Sequence, residues 1–339
     1  MNDRNIKVGI IGAGGWGTAL AKVAAENCRK VCLWVREDRL RQEIEQDRTN
    51  NLFLPGIKLP DNIDPVSDFA VFGDCQLIIV ATPSAFVGDT VQLLKPHLRT
   101  GTAVVNAAKG FDMKSGSRLS RLLGNILGPG HPIAVISGPN HAVEIAQGLP
   151  AATVVAGDLV VGSFVQDMLM TGYFRIYTNA DLMGVELGGA LKNVYALAAG
   201  IADGLGYGDN TKAALMTRGL TEMVRLGRAL GAEPSTFAGL SGMGDLIVTC
   251  TSPHSRNRRT GLALGQGKSL EEILQGSPQV VEGVSATLAA CRLGRDNQVE
   301  LPIAEALHEV LYEKRNPRDA VHDLMTRQRK NETEEQLPF

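Results

Sequence analysis

Lys7-Val8-Gly9-Ile10-Ile11 runs directly into Gly12-Ala13-Gly14-Gly15-Trp16-Gly17, and a helical stretch, Thr18–Glu26, follows. A short apolar run, three glycines spaced G-x-G-x-x-G and then a helix is the pattern of a strand turning tightly into a helix beneath a phosphate. Gly12 permits the turn, Gly14 lets the backbone approach a pyrophosphate, and Gly17 lets helix and strand pack closely. Gly15 and Trp16 sit in the same loop and could also face the ligand. The helix N-terminus adds unpaired N–H groups and a positive dipole end. Glycine spacing alone is weak, but at the head of an alternating strand–helix pattern it points to a dinucleotide rather than to a plain turn.

That alternation continues outward. Lys30–Val35 reads as a second strand and Asp38–Gln46 as a charged helix. Leu77–Ala81 and Ile133–Ile136 are continuous apolar runs, and Ala103–Ala107 is apolar apart from Asn106, as expected of strands buried on both faces. Ala152–Val155 and Phe174–Tyr177 are later candidates. Strands separated by helix-length segments imply parallel pairing, hence an α/β doubly wound sheet. After about residue 181 helical periodicity takes over. In Thr211–Leu230 the residues Met216, Leu220, Met223, Gly227 and Leu230 share one face, with Arg218, Glu222 and Arg225 off it. Ser269–Leu274, Val284–Leu293 and Ile303–Tyr312 read as further helices. The expected organisation is a dinucleotide-binding domain over 1–180, an all-helical C-terminal domain over 181–328, and a charged tail over 329–339 that frays.

The 339 residues suffice for two domains with ample cores. Thirty-eight glycines, about 11% against a usual ~7%, fit many tight turns and close backbone approaches. A formal charge of −2 argues against a general nucleic-acid binder. Cys28, Cys32, Cys75, Cys250 and Cys291 form no C-x-x-C pair and read as reduced thiols. The first residues lack a signal-peptide pattern, and no apolar run approaches a membrane span. A cytoplasmic protein with no nucleic-acid or membrane partner is expected.

Ligands on open α/β sheets bind beyond the carboxyl ends of the strands. Arg36, just past the second strand, stands where a ribose 2′-hydroxyl or 2′-phosphate is read; an arginine there favours NADP(H), while Glu37 and Asp38 leave NAD(H) open. Thr82-Pro83-Ser84-Ala85-Phe86 follows the next run, and Phe86 joins the cofactor candidates. Lys109 follows Ala103–Ala107, poised over the cleft. Ser137-Gly138-Pro139-Asn140-His141-Ala142 follows Ile133–Ile136. In the second half, Lys192-Asn193 interrupts an apolar, small-residue segment, where a buried charge needs a partner or a function. Asp245 sits between glycines and an apolar run. His254-Ser255-Arg256-Asn257-Arg258-Arg259 offers donors for a phosphate, though alone it reads rather as a solvated basic loop or helix start. Neither His141 nor His254 has metal-ligand spacing, so no metal is expected.

These segments, GAGGWGTALA, AAKG, SGPNHAVE, KNVYALAAGIADGLGYGDN, GMGDLIVTC, SRNRRTG and VVEGV, stand in an order that resembles NAD(P)-dependent glycerol-3-phosphate dehydrogenase of the bacterial type, from about residue 7 to 325. The resemblance implies a Rossmann-type N-terminal domain and reversible reduction of dihydroxyacetone phosphate by NAD(P)H to sn-glycerol 3-phosphate, for phospholipid synthesis. It implies that Lys192 is the catalytic lysine and that Asn193 and Asp245 position it and the substrate. Lys109, Gly138 and Asn140 would meet the substrate, and Ser255, Arg256 and Asn257 its phosphate. Lys109, Ala142, Arg256, Val280 and Glu282 would meet the cofactor. A homodimer is left open. The turn departs from the family's G-P-[ST]-[FY]-A in carrying Asn140-His141, which keeps a hydrogen-bonding side chain. Ketopantoate-type reductases share the glycine loop and a helical second domain but recognise a carboxylate, which the Ser255-Arg256-Asn257 set does not suggest. A non-catalytic dinucleotide sensor would not need Lys192, Asn193 and Asp245 together.

Overall fold

The computed structural model describes residues 5–275, 280–329 and 331–332; most of the tail expected over 329–339 lies outside the described residues. The chain divides into two compact units, Met1–Asp112 with Ser117–Leu182, and Met113–Gly116 with Met183–Phe339.

Among the described residues the first unit carries ten strands: β1 (Lys7–Ile11), β2 (Lys30–Trp34), β3 (Thr49–Asn50), β4 (Leu54–Lys58), β5 (Ile63–Val66), β6 (Leu77–Val80), β7 (Ala103–Asn106), β8 (Ile133–Ser137), β9 (Ala151–Ala156) and β10 (Phe174–Asn179). Eight of them form one sheet in the order β10-β9-β8-β7-β6-β1-β2-β5. Val8 of β1 lies opposite Val31 of β2 on one side and Leu77 of β6 on the other. One face buries Ile10, Ile79, Val105 and Ile136 beneath Leu20 and Val23 of the helix Gly15–Asn27 and Val165 and Leu169 of the helix Leu159–Leu169. The other buries Ile11, Ile78, Val80 and Val104 beneath Val87, Val91 and Leu94 of Ser84–Leu94 and Leu119 and Leu123 of Leu119–Leu127. Strands covered on both faces have no polar side, which is why β6 reads as an unbroken apolar run and β7 as one up to Asn106 at its end.

Two features depart from the expectation. β8 and β9 pair antiparallel, with Val135 opposite Ala156 and Ser137 opposite Val154. The link between them turns back at the carboxyl edge itself, where Thr153 Oγ1 donates to Ser137 O at 2.9 Å. The short edge strand β5 and the hairpin β3–β4 carried no legible signal. β5 is four residues long and holds Pro65, which suits an edge but breaks the usual strand pattern.

The second unit is helical. Its central helix, Leu182–Gly204, is buried at every position from Gly184 to Ala202, as its apolar circumference requires. The helices Asp209–Ala229, Asp245–Thr251, Arg256–Gly265, Leu270–Gln275, Glu282–Asp296, Pro302–Tyr312 and Pro317–Thr326 complete the unit. Glycine makes the contact between two of these helices possible. A Cβ on Gly261 would stand 2.0 Å from Leu197 O, and one on Gly200 would stand 2.1 Å from Arg258 O. The backbones therefore touch, and Asn193 is brought against Asn257.

Glu222 corrects the amphipathic reading of Asp209–Ala229, because it is buried rather than off the packed face. Its carboxylate accepts from Ile303 N at 2.8 Å and Ala304 N at 3.3 Å, capping the otherwise unpaired N–H groups that open the helix Pro302–Tyr312. Tyr195 Oη donates to it at 3.2 Å. Burial pushes the carboxyl up to about 7 from 4.5, against these hydrogen bonds, which lower it. Between those two values the folded chain holds a proton that the unfolded chain has lost, so stability is expected to fall as pH rises from 4.5 to about 7 and to level off above. The contribution is on the order of 3 kcal/mol. Denaturant unfolding at pH 5 and pH 8 should show this slope in the native chain and a smaller one in Glu222→Gln; equal slopes would place the titration elsewhere.

Candidate active site

In the first unit the glycine loop closes β1 onto the helix Gly15–Asn27. Gly12 has φ +116°, where a side chain would be strained, and a Cβ on Gly17 would stand 1.9 Å from Gly12 O. Gly14 differs. A Cβ there would meet nothing within 4 Å, so the protein's own packing does not demand a glycine. The space lies over the first turn of the helix, whose N-cap is Gly14 and which offers no side-chain cap. Open room beside unpaired N–H groups fits a pyrophosphate. The loop is held from beneath by Asn50 of the hairpin, which is fully buried. Asn50 Nδ2 donates to Ala13 O at 2.9 Å and to Thr18 Oγ1 at 2.8 Å. Nothing in the sequence spacing links Asn50 to a loop 37 residues away. Phe53 O comes within 3.0 Å of where a Cβ on Gly15 would stand, and Trp16 packs edge-on to Phe174, centroids 6.5 Å apart.

Arg36 is exposed, and its guanidinium is held by Glu37 Oε1, at 2.9 Å from Nε and 2.6 Å from Nη2. The base and the acid weighed against each other for cofactor choice are thus paired. Phe86 is exposed on the first turn of Ser84–Leu94, and Ala142 opens the short helix Ala142–Ala146. Lys109 Nζ donates to Gly138 O at 2.7 Å, tying the β7 turn to the β8 turn. Asn140 Nδ2 donates to Thr153 Oγ1 at 2.9 Å.

In the second unit Lys192 is 6% exposed and Asp245 1%. Lys192 Nζ donates to Asp245 Oδ1 at 2.7 Å and to Thr249 Oγ1 at 2.6 Å. Thr249 spends its own proton on Asp245 O at 2.6 Å, so its lone pair faces the ammonium. Thr249 was not among the expected residues, although its i+4 spacing from Asp245 on one helix was a usable signal. Asp245 follows the π-helical turn Leu240–Gly244 and opens the helix Asp245–Thr251. Two of the ammonium's three hydrogens are committed among the described residues.

Asn193 and Asn257 are joined, Asn257 Nδ2 donating to Asn193 Oδ1 at 2.8 Å. The Gly283 N–H donates to Asn257 Oδ1 at 2.9 Å, which fixes that amide's orientation. Ser255 caps the helix Arg256–Gly265 by accepting from Arg258 N. Arg256 is exposed, with Nη1 donating to Val280 O at 3.1 Å. Desolvation of its guanidinium, opposed by Glu282 and reinforced by Arg259, lowers its pKa. Glu282 opens the helix Glu282–Asp296. Arg258 leaves the cluster: it pairs with Asp203 at 2.7 Å, as Lys212 does. Lys109, Gly138 and Asn140 therefore group in one unit, and Lys192, Asn193, Asp245, Asn257, Arg256 and Val280 in the other. Among the described residues no group of three His, Cys, Asp or Glu side chains could hold a metal, no helix is long and apolar enough to cross a membrane, and all five cysteines are buried free thiols.

A glycine cradle at the head of a doubly wound sheet, with Lys109 and the Gly138 turn on the same carboxyl edge, defines a nicotinamide-dinucleotide oxidoreductase of the Rossmann type. Family profiles described as the N-terminus and the C-terminus of NAD-dependent glycerol-3-phosphate dehydrogenase match residues 7–159 and 181–322. A glycerol-3-phosphate dehydrogenase [NAD(P)+] of Desulfitobacterium hafniense is 50% identical over 97% of this chain and 94% of its own. The crystal structure of a glycerol-3-phosphate dehydrogenase from Coxiella burnetii is 38% identical, with TM-score 0.91 over 95% of this chain and 99% of that one. A ketopantoate reductase of Ralstonia eutropha, 15% identical with TM-score 0.59 over 94% of this chain and 100% of that one, shares the fold alone. The chain belongs to the NAD-dependent glycerol-3-phosphate dehydrogenase family.

Proposed function

We propose that this enzyme reduces dihydroxyacetone phosphate reversibly to sn-glycerol 3-phosphate, with Lys192 as general acid and base. The observation that carries the reading is the buried Lys192–Asp245–Thr249 set, in which two of the lysine's three hydrogens are committed among the described residues. NAD(P)H, when bound, supplies the hydride. As negative charge builds on the ketone oxygen, Lys192 stabilises it and hands over a proton; in the oxidative direction the neutral amine takes the hydroxyl proton back. Asp245 and Thr249 hold Nζ in place. Lys109, Gly138, Asn140 and Asn193 are assigned to the substrate's reacting end. Ser255, Arg256 and Asn257 are assigned to its phosphate, which orients the carbonyl from a distance.

Gly12, Gly14, Gly15, Trp16 and Gly17 are assigned to the dinucleotide. Arg36, Phe86, Lys109, Ala142, Arg256, Val280 and Glu282 complete its contacts. We assign the product to glycerophospholipid synthesis in the cytoplasm and the substrate chemistry to the helical domain. Initial rates with dihydroxyacetone phosphate, and none with ketopantoate, test the activity.

NADPH is favoured over NADH on the strength of Arg36. A 2′-phosphate would compete with Glu37 for its guanidinium, so the native preference is modest. Arg36→Asp is expected to swing the NADPH/NADH ratio of kcat/KM about 10-fold toward NADH, the size of one charge-assisted bond. An unchanged ratio would mean that Arg36 reads no phosphate.

A further inference from the structure

Asp203 has no part in the chemistry assigned above, yet it ties down the helix that carries the phosphate set. It stands next to the last residue of the central helix Leu182–Gly204, and its side chain is only 12% exposed. Oδ2 accepts from Arg258 Nε at 2.7 Å and lies 2.7 Å from Arg258 Nη2, while Oδ1 lies 2.7 Å from Lys212 Nζ. One carboxylate oxygen holds the guanidinium and the other the ammonium. Arg258 belongs to the first turn of Arg256–Gly265 and Lys212 to the start of Asp209–Ala229, so three helices meet at Asp203.

The seam beside this cluster shows why such a tie is needed. Leu182–Gly204 and Arg256–Gly265 meet along glycines: besides Gly200 and Gly261, a Cβ on Gly204 would stand 2.3 Å from Leu262 O and one on Gly265 2.4 Å from Ile201 O. Bare backbones lack the side-chain ridges that lock into grooves, so the seam fixes separation better than it fixes slide or rotation. Polar ties supply the rest. Asn193–Asn257 is one and Asp203–Arg258 is another. They leave adjacent residues of the one helix and grip points ten residues apart on the other, about 15 Å along its axis. Two arms spread in this way hold the first turn of Arg256–Gly265 against rotation. Ser255, Arg256 and Asn257 sit on that turn, and Arg258 N donates to the capping Ser255 Oγ at 3.3 Å. Arg258 is thus bound to Asp203 by its side chain and to the cap by its backbone.

We propose that Asp203 is a positioning residue for recognition of the substrate's phosphate. Acting through Arg258, it sets the rotation of the first turn of Arg256–Gly265, and so the place from which Arg256 and Asn257 grip the phosphate. Its carboxylate is occupied by Arg258 and Lys212, and it acts without touching the substrate. The inference rests on the assignment of Ser255, Arg256 and Asn257 to the phosphate.

The test is steady-state kinetics on the full-length chain, read well below each variant's melting midpoint so that lost stability does not enter. Asp203→Asn keeps the shape and removes the charge that holds Arg258. It is expected to lower kcat/KM for dihydroxyacetone phosphate about 10-fold, chiefly through KM, and to raise the inhibition constant of inorganic phosphate by a similar factor. Turnover of unphosphorylated dihydroxyacetone and the Kd of NADPH should stay within about threefold. Arg258→Gln should reproduce the pattern, and it reads the same tie from the other side if Asp203→Asn fails to fold. The double variant should be no worse than either single one, because each breaks one shared contact. Lys212→Met leaves the Asp203–Arg258 pair in place and should keep KM within about threefold. Equal losses with and without the substrate's phosphate, losses that multiply in the double variant, or an unchanged KM would overturn the proposal. The phosphate assignment fails separately: if Arg256→Ala also costs both substrates equally, the set itself is misassigned, whereas a phosphate-selective loss in Arg256→Ala with none in Asp203→Asn strikes only the role of Asp203.

Discussion

Lys192→Ala is expected to bind NADPH as the native chain does and to lose kcat by 10²- to 10⁴-fold with dihydroxyacetone phosphate, the range of a positioned general acid. The obvious objection is that the substitution also damages the fold. Lys192 and Asp245 are both almost fully buried and paired at 2.7 Å. Removing the lysine alone strands a carboxylate in the interior, a change that typically costs about 3–5 kcal/mol. The double variant Lys192→Ala with Asp245→Asn removes both charges and leaves a neutral amide beside Thr249. It should regain most of the lost stability and none of the turnover. That separation is diagnostic: an ion pair serving only the fold would recover activity together with stability. A fall in kcat below threefold in the single variant would pass the acid role to Lys109, the other lysine among the substrate residues, which donates to Gly138 O.

Much of this arrangement was legible because burial leaves marks in sequence. β6 and the first three residues of β7 are covered on both faces and are apolar without alternation. Lys192 stood out for the opposite reason, as a charge inside a helix whose whole circumference is buried. What escaped reading is what depends on distant partners. Asn50 holds the glycine loop from a two-residue strand, and its only local mark is an asparagine in a turn. Glu222 looks like any solvated helix glutamate until the opening N–H groups of Pro302–Tyr312 are brought to it. The reversal of β9 escaped because chain length between strands limits direction without deciding it; the antiparallel ladder with β8 is joined at the carboxyl edge by the hydrogen bond from Thr153 to Ser137 O. Arg258 and Arg256 are two residues apart and look interchangeable, yet the first is spent on Asp203 while the second donates to Val280 O.

That difference makes Arg256 the arginine to remove. Its side chain is exposed, and its recorded hydrogen bond goes to a neutral carbonyl, so Arg256→Ala should leave the fold intact. Its guanidinium has Glu282 and Arg259 nearby, and an arriving dianion would offer it a charge-assisted partner. Loss of such a charge-assisted partner is expected to lower kcat/KM for dihydroxyacetone phosphate by about 10²- to 10³-fold. Most of the loss should appear in KM if the phosphate is held equally before and during reaction, and in kcat if its grip tightens as the carbonyl is aligned. Unphosphorylated dihydroxyacetone supplies the control. It lacks the group that Arg256 is assigned to hold, so whatever slow turnover it supports should change by less than about threefold, under one kcal/mol. Inorganic phosphite, added with dihydroxyacetone, should restore part of the rate in the native enzyme and much less in Arg256→Ala, because the dianion would then be bound as a separate piece by the same side chain. Equal losses for the phosphorylated and unphosphorylated substrates would remove Arg256 from the phosphate set and leave Ser255 and Asn257, already engaged in capping and in the Asn193 bridge, to hold it alone.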